Sequence, residues 1–192
     1  MHPRLPAPGD GSAFLKMLST ERLIIRPFLK SDYKELHEYL SLPEIYRFER
    51  GESISLKQAK KIVHDWAKGK NFWAATLKTN KKIIGHVSFF PEGFPDFKTW
   101  QVGYIFHPDY QNKGYATETT RAIIKYAFSE LGAHRIVIHC SPDNIASWKI
   151  AEKCGMKREG FFRKNFLLRK DDNGKPIWLD SYEYAILDEE YR

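Results

Sequence analysis

Cysteine is scarce in this chain of 192 residues; only Cys140 and Cys154 occur. Two thiols cannot build the disulfide framework of a small secreted domain, and neither has the spacing or the histidine companions of a zinc site. No metal centre is expected, and both thiols read as reduced core residues. Long apolar runs are absent as well. Nothing approaches the roughly 18 consecutive apolar residues that span a bilayer, and the mean hydropathy of -0.53 agrees. The first residues are interrupted by Pro, Gly, Asp and Lys, so they lack the continuous apolar stretch of a signal peptide. Residues 1–17 are expected to be a loose extension and the cytoplasm the compartment. No Gly-x-Ser-x-Gly elbow and no His-Glu-x-x-His pair occurs, which disfavours a serine hydrolase and a zinc hydrolase.

What remains is ordinary globular material. Hydrophobic residues make up 42 %, charged residues 29 % and aromatics 15 %, a balance that supplies a core and excludes a wholly disordered chain. The length fits one domain. Lys and Arg number 31 against 24 Asp and Glu, a formal charge of +7. Such a surplus favours an anionic partner, whether nucleic acid, a phosphorylated cofactor or an acidic protein, without choosing among them.

Residues 23–28 predict a strand that stops near Pro27. Asp32, three before Glu35, predicts a capping box for a short helix with Tyr33, Leu36 and Leu40 on one face, ended by Leu42-Pro43. Ser55 with Gln58 opens a second helix, whose Leu56, Ala59, Ile62, Val63 and Trp66 recur at helical spacing. Its lysines read as the solvated face. Residues 72–77 and 83–90 form a hairpin, residues 91–98 a loop, and residues 100–106 a further strand ended by His107-Pro108. A helix over residues 117–131 stops at Gly132, a strand covers 135–140, and a helix capped by Asp143-Asn144 runs to Cys154. Residues 161–168 and 178–186 flank Asp172-Asn173-Gly174-Lys175, a hairpin signal. The order predicts a single α/β domain with a mixed central sheet flanked by helices.

Tyr110, Gln111, Asn112, Lys113, Gly114, Tyr115, Ala116 and Thr117 join a strand to a long helix. At such a junction free backbone N–H groups and the helix dipole together make an anion site suited to phosphate. Gly114 lets the backbone approach closely, Ala116 keeps the next position small and Lys113 adds a cation at the rim. A glycine before a helix is also a common structural feature, so the segment alone leaves both readings open. It is neither a Walker loop nor the three-glycine dinucleotide fingerprint.

Gln111, Gly114 and Ala116 match Gln/Arg-x-x-Gly-x-Gly/Ala, and with its flanks the chain resembles the GNAT (GCN5-related) N-acetyltransferase superfamily over about residues 18 to 190. The segment from Thr20 to Phe28, Val102-Gly103-Tyr104, and the stretch from Asn144 to Met156 are similar to the RimJ/RimL-like subgroup, which acetylates ribosomal-protein N-termini. The resemblance implies a GNAT domain over residues 18–192 whose fourth and fifth strands, 100–107 and 135–140, splay around acetyl-coenzyme A. Its pyrophosphate would rest on the backbone from Gln111 to Thr117, and its pantetheine along Ile105, Phe106 and His107. Asn144 is similar to the family's asparagine for the cofactor's amide arm and also reads as a plain helix cap. Ser147 is similar to the subgroup's serine near the thioester sulfur, which makes it the candidate proton donor; a local cap is its other reading.

Where the subgroup often has glutamate, this chain has Gln101, which can orient a water but cannot accept a proton. An α-amine with pKa near 8 is roughly 10 % neutral at pH 7 and a lysine amine on the order of 0.1 %, so a weak base favours α-amines. His86, His139 and Glu49 are candidates to help the acceptor, each readable also as a packing or surface residue. The expected function is N-acetylation of a protein or peptide N-terminus. The alternatives are acetylation of a small amine such as a polyamine or antibiotic, or a non-catalytic acetyl-coenzyme A sensor, suggested by Gln101. Phe161, Phe162 and Phe166 beside Arg163 and Lys164 read better as a strand with one buried face than as a nucleic-acid surface. No DNA and no membrane partner is expected, and the chain is expected to be a monomer or homodimer.

Overall fold

The computed structural model describes residues 17–191, so all of the expected extension over residues 1–17 except Met17 lies outside the described residues. In chain order the elements are β1 (Leu18–Ser19), β2 (Leu23–Pro27), α1 (Tyr33–Leu40), α2 (Leu56–Trp66), β3 (Phe72–Leu77), β4 (Ile83–Glu92), β5 (Thr99–Phe106), α3 (Tyr115–Glu130), β6 (Arg135–Cys140), α4 (Ile145–Lys153), β7 (Lys157–Lys170) and β8 (Pro176–Leu187). The strands form one open sheet in the order β1-β2-β3-β4-β5-β6-β8-β7. β5 and β6 run parallel while the other neighbours are antiparallel. This is the mixed sheet flanked by helices that the order of elements predicts.

Alternation along the strands divides the core between the two faces of the sheet. Trp73, Val87, Phe89 and Val102 pack with Ile123, Ile124 and Ala127 of α3 and Ala151 of α4. Ala74 and Ile83 instead meet Leu36, Tyr39 and Leu40 of α1 and Ala59 and Val63 of α2. Each large apolar side chain buried in this way contributes roughly 1.5–3 kcal/mol, so the two layers hold the central strands from both sides. No described helix is long and apolar enough to cross a membrane.

Local signals were obeyed where no stronger partner competed. Ser55 and Gln58 form the expected reciprocal cap of α2. The expected box at α1 does not form, because Asp32 accepts the Leu29 N–H at 2.7 Å and pairs with Arg26 at 2.7 Å, while Glu35 accepts the Ile83 N–H. The Arg26 guanidinium engages both Asp32 oxygens, a bidentate pair that ties the start of α1 to β2. Several boundaries also move, and β7 and β8 are longer than expected at both ends. β4 continues through Pro91, which pairs with Trp100, and α3 starts two residues early at Tyr115.

The sheet's decisive irregularity lies at its centre. β5 and β6 pair only at Thr99 with Arg135, Trp100 with Ile136 and Gln101 with Val137. Beyond that point β6 continues to pair with β8 as far as Cys140, and β5 with β4 as far as Phe106. The two middle strands therefore diverge.

Candidate active site

The divergence opens a cleft of about 600 Å³ whose lining includes Tyr104 on β5, His139 on β6, Ser147 on α4 and Glu49 in the segment after α1. A larger depression of about 740 Å³ near Lys98, His134 and Arg135 lies at the strand starts, where β5 and β6 are still paired.

At one end of the cleft stands the start of α3. Gly114 caps it in the left-handed region with φ +82°, a conformation that glycine adopts without a Cβ penalty. The Glu118 N–H bonds back to the Gly114 carbonyl at 2.9 Å, and it is the first in the helix able to do so. Tyr115, Ala116 and Thr117, all lining the cleft, therefore sit in the first turn with N–H groups that have no carbonyl four residues back. A helix of 16 residues adds its positive dipole end there.

Sequence reasoning missed the residues that hold this turn. Glu118 accepts from the Thr20 hydroxyl at 2.5 Å, the Arg22 backbone N–H at 2.8 Å and the Arg22 guanidinium at 2.7 Å. Burial alone would raise the Glu118 carboxyl, but these bonds together outweigh it and hold its pKa below the usual value. The other arm of the Arg22 guanidinium donates to the Lys113 carbonyl at 3.0 Å and the group stacks on Tyr115. Gln111 turns its amide back to the Phe106 carbonyl at 2.9 Å. The turn is thus fastened to both β2 and β5 before any ligand arrives.

Deeper in, Asn144 caps α4 by accepting the Ser147 N–H at 3.3 Å. The Ser147 hydroxyl lies 3.0 Å from the Tyr104 hydroxyl, which also reaches the Ser147 carbonyl at 3.1 Å. Burial drives the Tyr104 pKa well above its ordinary value, although the bond to Ser147 opposes this, so the phenol stays protonated. Burial likewise pushes the Cys140 and Cys154 thiols up to about 11. Neither is a thiolate at neutral pH, so neither is suited to carry an acyl group covalently.

A family model for the acetyltransferase (GNAT) domain matches residues 22–157. The chain belongs to the GNAT acetyltransferase family. It is 37% identical over 176 residues to the uncharacterized N-acetyltransferase YnaD of Bacillus subtilis, covering 91% of this chain and 98% of that protein. Its fold matches the crystal structure of a GNAT-family acetyltransferase from Bacillus anthracis with TM-score 0.81 and 33% identity, covering 91% of this chain and 99% of that one. More distantly, it is 24% identical to the spermidine N(1)-acetyltransferase of Vibrio cholerae, covering 93% and 88% of the two chains.

As a GNAT acetyltransferase the protein is an acyl-CoA-dependent enzyme, and acetyl-coenzyme A is the family's donor. This chain's own residues fit that donor. The α3 turn offers unbonded amides to a phosphate, and a Cβ on Gly114 would approach the pinned Arg22 guanidinium to 3.3 Å. Along β5, the backbone after Gln101 has no β6 partner. Of the anticipated cofactor residues, Ile105, Phe106, Gln111, Asn112, Gly114, Tyr115, Ala116, Thr117, Asn144 and Ser147 line the one cleft.

Two anticipated residues stand outside that lining. His107 turns its ring to accept the Asp109 N–H at 3.1 Å, and Lys113 places its ammonium 5.5 Å from the Tyr110 ring centroid. Gln101 also stays off the lining, as the last β5 residue paired with β6. His86 is buried among Phe28, Tyr39 and Trp66, bonded to the Tyr39 hydroxyl at 2.8 Å, and its pKa is lowered by burial to about 3. It is a packing residue. His139 does line the cleft, with Nε2 3.4 Å from Glu92 and Nδ1 3.8 Å from Glu183.

Proposed function

We propose that this GNAT enzyme acetylates the α-amine of a protein or peptide N-terminus, in the manner of the RimJ/RimL-like subgroup. The observation that carries the acceptor reading is Gln101. It ends the paired part of β5, so the strand brings an amide rather than a carboxylate to the start of the splay. With β5 contributing no carboxylate, the amines that react fastest are those already partly neutral, and an α-amine near pKa 8 exceeds a lysine near 10.4 in neutral fraction by roughly 100-fold.

Bound acetyl-coenzyme A supplies a thioester whose carbonyl carbon accepts the amine. The remaining work belongs to the chain. The first-turn amides of Tyr115, Ala116 and Thr117, with Asn112 beside them, bind the pyrophosphate. Asn144 holds the amide arm, and the free edge of β5 from Val102 to Phe106 orients it as a neighbouring strand would. A β5 backbone N–H stabilises the developing oxyanion. Ser147, oriented by Tyr104, donates a proton to the departing sulfur.

A small polyamine is the second reading, supported by the spermidine acetyltransferase relative and by Glu44, Glu49 and Asp143 in the cleft lining. Coenzyme A release measured across N-terminal peptides, Nα-blocked lysine peptides, spermidine and aminoglycosides separates the readings. The highest kcat/KM is expected for free α-amines. A preference for spermidine overturns the acceptor assignment, and silence on all acceptors with retained donor binding makes the protein a sensor.

A further inference from the structure

Glu49 lies between α1 and α2 and lines the cleft together with Gly103, Tyr104 and His139. It is half-buried. Other acidic side chains have definite partners: Glu35 takes the Ile83 N–H, Glu38 pairs with Lys82, Glu152 accepts from Tyr184, and Glu183 pairs with Arg135. The Glu49 carboxylate has no hydrogen bond or ion pair among the described residues. Titratable neighbours are nevertheless present around the cleft. Glu44 and Arg47 come from its own segment, Tyr104 from β5, Tyr110 and Tyr115 from the α3 turn, His139 from β6, and Asp143, Lys149 and Lys153 from α4 and its start. A carboxylate withdrawn from water without a partner costs stability, and a cleft is where such a cost marks function.

We propose that Glu49 is the general base that takes the proton from the acceptor's ammonium group. The proposal rests on the acetyltransferase reading above. In the step, an N–H bond of the ammonium breaks and its proton passes to the Glu49 carboxylate. The freed nitrogen lone pair forms the C–N bond at the thioester carbonyl carbon. The C–S bond then breaks with its electron pair on sulfur, and the nitrogen's second surplus proton reaches the sulfur through the Ser147 hydroxyl. Amide and thiol leave, and Glu49 returns its proton to solvent.

Geometry favours Glu49 over the other candidate in the cleft. Both ring nitrogens of His139 face carboxylates, whereas the Glu49 oxygens are uncommitted. Glu49 and the Ser147–Tyr104 pair also line the same cleft. Burial lifts the Glu49 carboxyl to about 7. That is close to an α-amine and far below a lysine amine, which agrees with the acceptor class.

The test compares Glu49→Gln, Glu49→Asp and His139→Asn with the parent enzyme on an α-amine peptide across pH 5–9. Glu49→Gln should lower kcat about 100-fold or more, with the acetyl-coenzyme A thermal shift retained as proof of an intact fold and donor site. The fall in parent kcat/KM on acidification through about pH 7 should survive in Glu49→Asp, whereas in Glu49→Gln it should move up to follow the acceptor's own amine near pH 8. Without ligand, Glu49→Gln should have a higher Tm than the parent at pH 8 and an equal one near pH 4. A Glu49→Gln enzyme with the parent's rate and pH profile overturns the proposal, as does a profile lost only in His139→Asn. A parent enzyme that ignores α-amines refutes the acceptor reading instead, and the same variants then test Glu49 on whichever amine is accepted.

Discussion

Replacing Gly114 by valine tests whether the α3 turn is the donor's anchor, and the structure sets the size of the effect. A donor at 100 times its Kd stabilises the folded state by about 2.7 kcal/mol. For a chain of this length that is a rise in Tm of roughly 5–10 °C. Gly114 stands at φ +82°, where an L-residue costs about 1–2 kcal/mol and a β-branched one more. Its Cβ would also meet the Arg22 guanidinium at 3.3 Å, a group pinned at 3.0 Å to Lys113 and 2.7 Å to Glu118. Strain and displaced guanidinium both act on the turn that presents the amides. Gly114→Val should therefore lower the ligand-free Tm by a few degrees, as about 1–3 kcal/mol of strain implies, and abolish the donor-induced rise. Gly114→Ala carries the backbone strain with the smallest side chain and should keep part of the rise. Scanning fluorimetry with an acetyl-coenzyme A titration reads both quantities. An undiminished rise in Gly114→Val refutes the assignment of this turn.

Ser147→Ala should reduce kcat about 10- to 100-fold with little change in donor KM, since the hydroxyl acts on charge that appears in the transition state; Tyr104→Phe should show a smaller loss of the same kind in single-turnover kinetics. Glu118 has a depressed carboxyl pKa, so its stabilisation is present above the unfolded value of 4.5 and is lost as pH falls through the still lower folded pKa. Glu118→Gln should thus cost about 1–3 kcal/mol at pH 7 and much less near pH 3, as urea unfolding will show. Glu49 runs the other way. Its raised pKa means that the folded state holds the extra proton between pH 4.5 and about 7, so stability falls as pH rises through that window, and Glu49→Gln should gain up to ~3 kcal/mol above it.

Much of the fold was legible because its signals are local. Apolar spacing in α2 and α3, the Ser55–Gln58 cap and the β7–β8 turn each depend on a few neighbouring residues, and the structure realises them. The turn proposed for the donor was recognisable as a helix start for the same reason: Gln111, Gly114 and Ala116 are close in sequence, and the chemistry of a helix start is local. Contacts distant in sequence were not legible. Arg22 and Glu118 are 96 residues apart, and nothing in the pattern around the opening strand announces that the arginine just before it braces the start of α3. Asp32 looked like a cap until Arg26 and the Leu29 N–H claimed it. His86 and His139 are alike as strand histidines in the sequence. Only the packing of α1 and α2 seals the first while the splay of β5 from β6 opens the second to the cleft. Tyr104 was noticed as part of a motif, but its pairing with Ser147 depends on where α4 docks.

The central claim is transfer of an acetyl group to an α-amine, and one peptide tests it most directly. A short unblocked peptide carrying a free N-terminus and an internal lysine, incubated with enzyme and acetyl-coenzyme A at pH 7, presents both amines at equal concentration. Tandem mass spectrometry then locates the acetyl group. The account predicts modification at the N-terminal nitrogen with the lysine largely untouched, and acetylation mainly at the lysine, or on neither amine, would contradict it.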